Sequence, residues 1–301
     1  MRRIAFRKMH GLGNDFVVLD ARRDGLAVGA GAARALADRR TGIGCDQVIL
    51  IEPAPAPIAP GPITDHDTAD AVIRFFNPDG SEAGACGNGT RCVAWLIAQE
   101  NGVGGVRLRT QAGLLDTALL ADGRVAVDMG APRTDWRDIP LAEPMDTLRA
   151  DIAAGPLAFP VCTSIGNPHA TFFVDDAESI DLAALGPVLE HDPAFPERAN
   201  IGVAAVCSAR RPGAPEGDRI RLRVWERGAG ITRACGSGAC AALVAAHRRG
   251  LAGRRATVAL DGGELDILWR EDAGGEPGHV TMTGPVALVF EGSFDPARFG
   301  L

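Results

Sequence analysis

"EAGACGNGTRCVAW", from Glu82 to Trp95, and "TRACGSGACAALVAA", from Thr232 to Ala246, carry the same Ala-Cys-Gly-x-Gly core half a chain length apart. In each, an apolar run follows the glycines and stops at a further glycine, Gly102 or Gly250. Small residues ahead of an apolar run, with glycine behind it, predict a helix and its two ends. The second run is apolar on nearly every face, which predicts a helix buried all round. Arg248 and Arg249 close it, where the helix dipole favours cations.

Working outward, other fragments recur in the same order. "GNDFVVLD" (Gly13–Asp20) resembles "GNPHATFFVD" (Gly166–Asp175), and "RTGIG" (Arg40–Gly44) resembles "RANIG" (Arg198–Gly202). Asn77 and Glu226 each stand nine residues before their cysteine. Matches kept in order at similar separations indicate a duplicated domain. Between them lie short strand-like segments, "AVIRFFN", "GRVAVDMG", "ATFFVD", "RIRLRVWE", "ATVAL", "ELDILW" and "HVTMTG", punctuated by Gly, Asp and Pro. The expected fold is therefore α+β, with two pseudo-symmetric domains that each wrap a strand-rich mixed sheet around a central helix. The expected boundaries are residues 1–130, joined by a C-terminal strand at 285–301, and residues 131–284. "DMGAPRTDWRDIP" (Asp128–Pro140) is the expected crossing, and the active site is expected in the cleft between the halves. The proline-rich stretch Glu52–Asp70 reads as a surface loop of the first half.

Bulk composition narrows the function. A chain of 301 residues with 46% hydrophobic and 23% charged residues is that of a soluble globular protein. Its net charge of -7 and scattered basic residues argue against nucleic acid as a partner. No apolar run is long enough for a membrane span, and the start "MRRIAFRKMHGLGNDF" reads as a strand rather than a signal peptide. Seven cysteines, an odd number in a chain this large, suit free thiols in a reducing cytoplasm. Lys8 is the only lysine, which restricts any mechanism built on a lysine Schiff base.

Free cysteines are commonly buried small hydrophobes, the role expected for Cys45, Cys92, Cys162, Cys207 and Cys240. Cys86 and Cys235 differ, because the glycines after them leave the backbone open at a helix start. Unpaired N–H groups and the helix dipole there can lower a thiol pKa. The N–H groups of Gly87, Asn88, Gly236 and Ser237 can also cradle a carboxylate. Two such sites suit inversion of a stereocentre, with a thiolate removing a proton from one face and a thiol returning one to the other. This needs no cofactor. The spacings C-x5-C and C-x4-C lie outside structural zinc patterns, no C-x-x-C is present, and Arg91 breaks the P-loop-like look of "GACGNGTR".

"NPDGSEAGACGNGTR" (Asn77–Arg91) is similar to the signature of the diaminopimelate epimerase family. "MHGLGNDF", "GIGCDQ", "GNPH", "ERANIG" and "ERGAGITRACGSGACAA" follow that family's order from residue 9 to 242. The resemblance implies a pyridoxal-independent, metal-free epimerase that interconverts LL- and meso-2,6-diaminopimelate. It also implies a cytoplasmic homodimer serving lysine and cell-wall synthesis. Carried over by motif, Cys86 and Cys235 are the acid/base cysteines. Gly87, Asn88, Gly236 and Ser237 hold the reacting carboxylate, and Asn14, Gln47, Asn77, Asn167, Asn200, Glu226 and Arg227 contact substrate. Glu226 supplies a counter-charge for an ammonium group or assists proton traffic, and His169 is a candidate partner for one cysteine. Paired cysteines facing one carbon would also form an inactivating disulfide on oxidation. Ile231 departs from the family, where many members have glutamate, and changed loop support is the expected consequence. The rivals are a proline or hydroxyproline racemase and a non-catalytic ligand-binding protein on the same scaffold. Asn88 stands where the racemases commonly have histidine.

Overall fold

The computed structural model describes residues 3–54, 68–207, 218–271 and 278–301. Most of the proline-rich stretch, residues 55–67, lies outside the described residues. The chain divides into two compact units, Met1–Val127 with Gly284–Leu301, and Asp128–Thr283.

The first unit runs β1 (Ile4–Gly11), β2 (Asn14–Asp20), α1 (Ala30–Ala37), β3 (Gln47–Pro53), β4 (Ala71–Phe76), β5 (Glu82–Ala83), α2 (Gly87–Asn101), β6 (Arg107–Thr110), β7 (Gly113–Leu119) and β8 (Val125–Asp128). Along the ladder β1-β2-β3-β4-β6-β7-β8 the pairings are antiparallel, parallel, antiparallel, parallel, antiparallel and antiparallel. The second unit begins with a small hairpin, β9 (Ala153–Ala154) and β10 (Leu157–Ala158). It continues through β11 (Val161–Ser164), β12 (Pro168–Phe173), α3 (Leu182–Glu190), β13 (Asn200–Cys207), β14 (Asp218–Glu226), β15 (Gly230–Thr232), α4 (Gly236–Arg248), β16 (Arg255–Leu260), β17 (Gly263–Trp269) and β18 (Val280–Gly284). Its ladder β11-β12-β13-β14-β16-β17-β18 repeats the same six pairings in the same order. The repeat seen in the sequence is thus a repeat of topology. The first unit adds one strand, β19 (Ala287–Phe294), antiparallel to β1.

Among the described residues, each unit carries two α-helices, on opposite faces of its sheet. In the first, α1 packs on Val17, Leu19, Val48, Leu50 and Phe76. A Cβ placed on Gly89 of α2 would instead meet Ile49 and Phe75, the alternate residues of the same strands. In the second, Leu182 and Leu189 of α3 pack on Ala170, Phe172, Ile201 and Val203. Gly238 of α4 lies against Val224, which points the other way. The sequence reading foresaw the inner helices α2 and α4 but not their outer counterparts. Covering both faces explains why Val48–Ile51 and Ile201–Ala204 are continuous apolar runs rather than alternating ones. Central strands buried on both sides have no polar face to show.

The inner helices have the ends their sequences imply. Cys86 and Cys235 are the N-caps, both in extended backbone. Gly102 ends α2 in the left-handed region at φ 65°, which costs glycine no Cβ clash. In α4, Ala239–Ala246 are completely buried. Arg248 donates from α4 to the Cys162 carbonyl and the Thr147 hydroxyl, so its charge anchors neighbouring segments as well as the helix end.

Candidate active site

In the first unit the site begins at the α2 N-terminus. The Cys86 carbonyl accepts from the backbone N–H of Thr90 at 2.8 Å and its hydroxyl at 2.9 Å, closing the first turn. The extended N-cap leaves Sγ beside that turn, where Gly89 N–H donates to it at 3.5 Å. The thiol also lies 3.8 Å from Asn14 Oδ1. Asn14 opens β2, and its Oδ1 accepts from Asn88 Nδ2 at 3.1 Å. The completely buried Arg91 donates to Asn88 Oδ1 at 2.9 Å. On the other side, Asn14 Nδ2 donates to Asp46 at 2.9 Å. Gln47 opens β3 and donates to Asn77 Oδ1 at 2.9 Å, while Asn77 Nδ2 donates to Ser81 Oγ at 3.1 Å. Gln47 Oε1 is buried with no hydrogen-bond partner among the described residues.

An ionic cluster stands behind this half-site. Asp15 accepts from Lys8 and Arg39, and Arg39 also pairs with Asp46. Burial alone would raise the Asp15 carboxyl, but the hydrogen bonds from Arg39 and Lys8 outweigh it and hold the group at about 2. The sole lysine therefore serves as a structural counter-ion, and it donates further to the Gly44 carbonyl.

The second unit builds the same places with other residues. Cys235 is 4% exposed, with its Sγ 3.7 Å from Ser237 Oγ. Ser237 Oγ lies 3.1 Å from His169 Nε2 and accepts from Asn167 Nδ2 at 3.3 Å. His169 Nε2 is 3.0 Å from Asn167 Oδ1. An amide oxygen only accepts, so Nε2 carries the proton, and the imidazole is neutral: burial pushes it down to about 3, with the Arg227 charge adding to the effect. Ser237 links His169 to Cys235, with its Oγ 3.1 Å from His169 Nε2 and 3.7 Å from Cys235 Sγ. Asn200 ties two segments together, donating to the Pro168 carbonyl and accepting from Arg227 N–H, both at 3.0 Å. Arg227 donates to the Glu197 carbonyl at 3.0 Å. Glu226 accepts from the Thr232 hydroxyl across the β14–β15 turn.

Burial pushes the Cys235 thiol well above its ordinary range, and the Glu226 carboxylate raises it further. The Gly238 N–H and the Ser237 hydroxyl pull the other way. The helix N-terminus does not win here, contrary to the lowered pKa read from the motif. Desolvation of a thiolate outweighs a few partial charges. Cys45, Cys92 and Cys162 are pushed to about 12 by burial, as inert core thiols are. Cys240 is buried, but Cys207 is exposed, which corrects its reading as a core residue: it is the last residue of β13, past the packed part of the sheet. Ile231 is 43% exposed on β15, opposite Trp225.

The strand registers show that the two sets of residues are equivalent. Gln47 lies opposite Phe16, two residues after Asn14; Asn200 lies opposite His169, two residues after Asn167. Asn77 follows the last β4 residue, and Glu226 is the last of β14. Each unit therefore draws on the start of its second strand, the start of its third, the end of its fourth and the N-terminus of its inner helix. Sequence reading missed three supports. Asp46 and Arg91 flank the amides of the first unit. In the second, the buried Glu190 carboxylate accepts from Trp225 Nε1 at 2.7 Å and Gly228 N–H at 2.9 Å, fixing the turn that holds Glu226 and Arg227.

The sequence profile described as diaminopimelate epimerase matches residues 6–134 and 161–289, once in each repeat. The chain is 60% identical over 287 residues to the diaminopimelate epimerase of Rhodospirillum centenum, covering 95% of this chain and 91% of that one. It is 57% identical to the diaminopimelate epimerase of Acidiphilium cryptum, covering 97% and 96%. Among solved structures, a probable proline racemase from Agrobacterium radiobacter with bound carbonate superposes with a TM-score of 0.66. That likeness covers 97% of this chain and 94% of the racemase at 18% identity, and shows a shared fold.

Proposed function

The chain belongs to the diaminopimelate epimerase family, and from that premise we propose that it interconverts LL- and meso-2,6-diaminopimelate by two-base proton transfer without a cofactor. The observation that carries the reading is the pair of topologically equivalent N-cap cysteines, each followed by helix N–H groups.

In this reading each thiol serves one face of the reacting carbon. Cys235, kept protonated by burial and by Glu226, is poised as the acid. Cys86 then removes the α-proton as thiolate, and Cys235 delivers its own proton to the opposite face. In the reverse direction the roles exchange: Cys235, left as thiolate by the forward step and held by Gly238 N–H and the Ser237 hydroxyl, takes the α-proton, and Cys86, now a thiol, delivers its own. N–H groups at Gly87, Asn88, Gly236 and Ser237 receive the carboxylate, whose negative charge grows as the proton leaves. Asn14, Gln47, Asn77 and Asn167 offer amides to the two amino-acid ends. Arg227 can grip a carboxylate, and Glu226 can balance an ammonium. Asn200 and His169 act by holding Arg227 and Ser237 in place. The enzyme works as a cytoplasmic homodimer in this reading, and light scattering tests that assembly.

The test of the substrate is stereochemical. Purified, reduced protein is incubated separately with LL-diaminopimelate and L-proline, without pyridoxal phosphate, and the products are resolved by chiral chromatography. Meso-diaminopimelate with unchanged proline is the expected result. Racemised proline would overturn the substrate, and no change in either would favour the ligand-binding alternative.

A further inference from the structure

A directional chain of hydrogen bonds crosses the first half-site. It starts at the Arg91 guanidinium, which can only donate, and ends at the Asp46 carboxylate, which can only accept. Between them Arg91 donates to Asn88 Oδ1 at 2.9 Å, Asn88 Nδ2 donates to Asn14 Oδ1 at 3.1 Å, and Asn14 Nδ2 donates to Asp46 Oδ2 at 2.9 Å. The two termini leave neither amide a choice of orientation. Turning Asn14 round would set its Nδ2 against Asn88 Nδ2 and its oxygen against the carboxylate. Asp46 Oδ2 is itself fixed by accepting from Asp15 N–H at 3.0 Å, and Oδ1 by Arg39 at 2.7 Å.

We propose that Asp46 and Arg91 are positioning residues that lock the Asn14 amide with its oxygen toward Cys86. This rests on the reading of Cys86 as an acid/base cysteine. An acceptor beside Sγ stabilises the protonated thiol, so the lock makes Cys86 a stronger base for the α-proton and holds that proton once it has moved. The charged groups around the chain are Lys8, Asp15, Arg39 and Asp46 on the strand side and Arg91 on α2.

The test separates the acceptor from the charge. Asp46→Asn and Asp46→Ala both remove the negative charge, but only asparagine keeps an oxygen for Asn14 Nδ2. In the full-length protein, the pH dependence of iodoacetamide alkylation is followed on the Cys86 peptide by mass spectrometry. The midpoint in Asp46→Ala is expected about one pH unit below that in Asp46→Asn, the size of one lost neutral hydrogen bond. With diaminopimelate, kcat is expected to fall in Asp46→Ala and to be largely restored in Asp46→Asn. Asp46 is 43% exposed, so both variants should fold, and Asp46→Leu supplies a second acceptor-free variant of similar shape. Equal Cys86 midpoints in the asparagine variant and the acceptor-free variants would overturn the proposal. Because alkylation needs no substrate, a wild type inactive on diaminopimelate would count against the proposed function and leave this inference standing.

Discussion

At the scale of single residues, the two cysteines share a backbone position but not an environment. Cys235 is almost fully buried beside Glu226, whereas Cys86 is partly exposed beside an amide. Glu226→Gln removes a charge that raises the Cys235 pKa, so Cys235 alkylation should begin at lower pH in that variant than in wild type; mass-spectrometric alkylation profiles check this. His169 gives a prediction about stability. Its pKa is lowered from 6.5 to about 3 on folding, so between these values the unfolded chain binds more protons. Folding stability should therefore fall as pH drops through that window. In His169→Gln, the slope of melting temperature against pH between about 6.5 and 4 should be shallower, as read by calorimetry. The cysteine motif was legible because its residues are adjacent in sequence. The supports of Asn14 were not: Asp46 and Arg91 come to it from distant parts of the chain, and only the folded registers bring them together.

At the scale of elements, the second glycine of each Ala-Cys-Gly-x-Gly motif has a separate physical task. A Cβ on Gly89 would stand 2.7 Å from Phe75 and 2.8 Å from Ile49, whereas one on Gly238 would stand 3.1 Å from Cys235 Sγ. Gly89→Ala should therefore destabilise the protein by about 1–3 kcal/mol, the usual cost of overpacking, as measured by denaturant unfolding. Gly238→Ala should cost less stability but displace the thiol, so its main effect should appear in kcat. The inner helices, and strands such as "RIRLRVWE" and "ELDILW", were readable from caps and alternation. The outer helices were not. α1 is eight residues long and starts at Gly29 with no side-chain cap, while α3 starts on a capping Asp181 but has Pro187 within its pattern and no glycine to stop it. Central strands such as β3 and β13, apolar on both faces, have no period that separates strand from buried helix.

At the scale of the whole molecule, duplication supplied the same four places twice, and divergence made them unequal: Asn88 against Ser237, Gln47 against Asn200, Asn77 against Glu226. An epimerase of a substrate with two amino-acid ends needs that inequality, since one end reacts and the other is only recognised. If both thiols address one carbon, air oxidation should join Cys86 to Cys235 as activity is lost. Peptide mapping of the inactive protein that found both thiols free would contradict this. Either Cys86→Ala or Cys235→Ala should lower epimerisation by about 10²–10⁴-fold, the usual contribution of a positioned acid or base. Near-normal turnover in either would remove the need for two bases. The most direct test of the central claim follows hydrogen at the α-carbon during the first turnovers of LL-diaminopimelate in deuterated water. Two bases predict meso product carrying one solvent deuterium at the inverted carbon, while the remaining LL substrate keeps its hydrogen. Product that retains the original hydrogen, or LL substrate that gains deuterium as fast as product forms, would mean that a single base serves both faces.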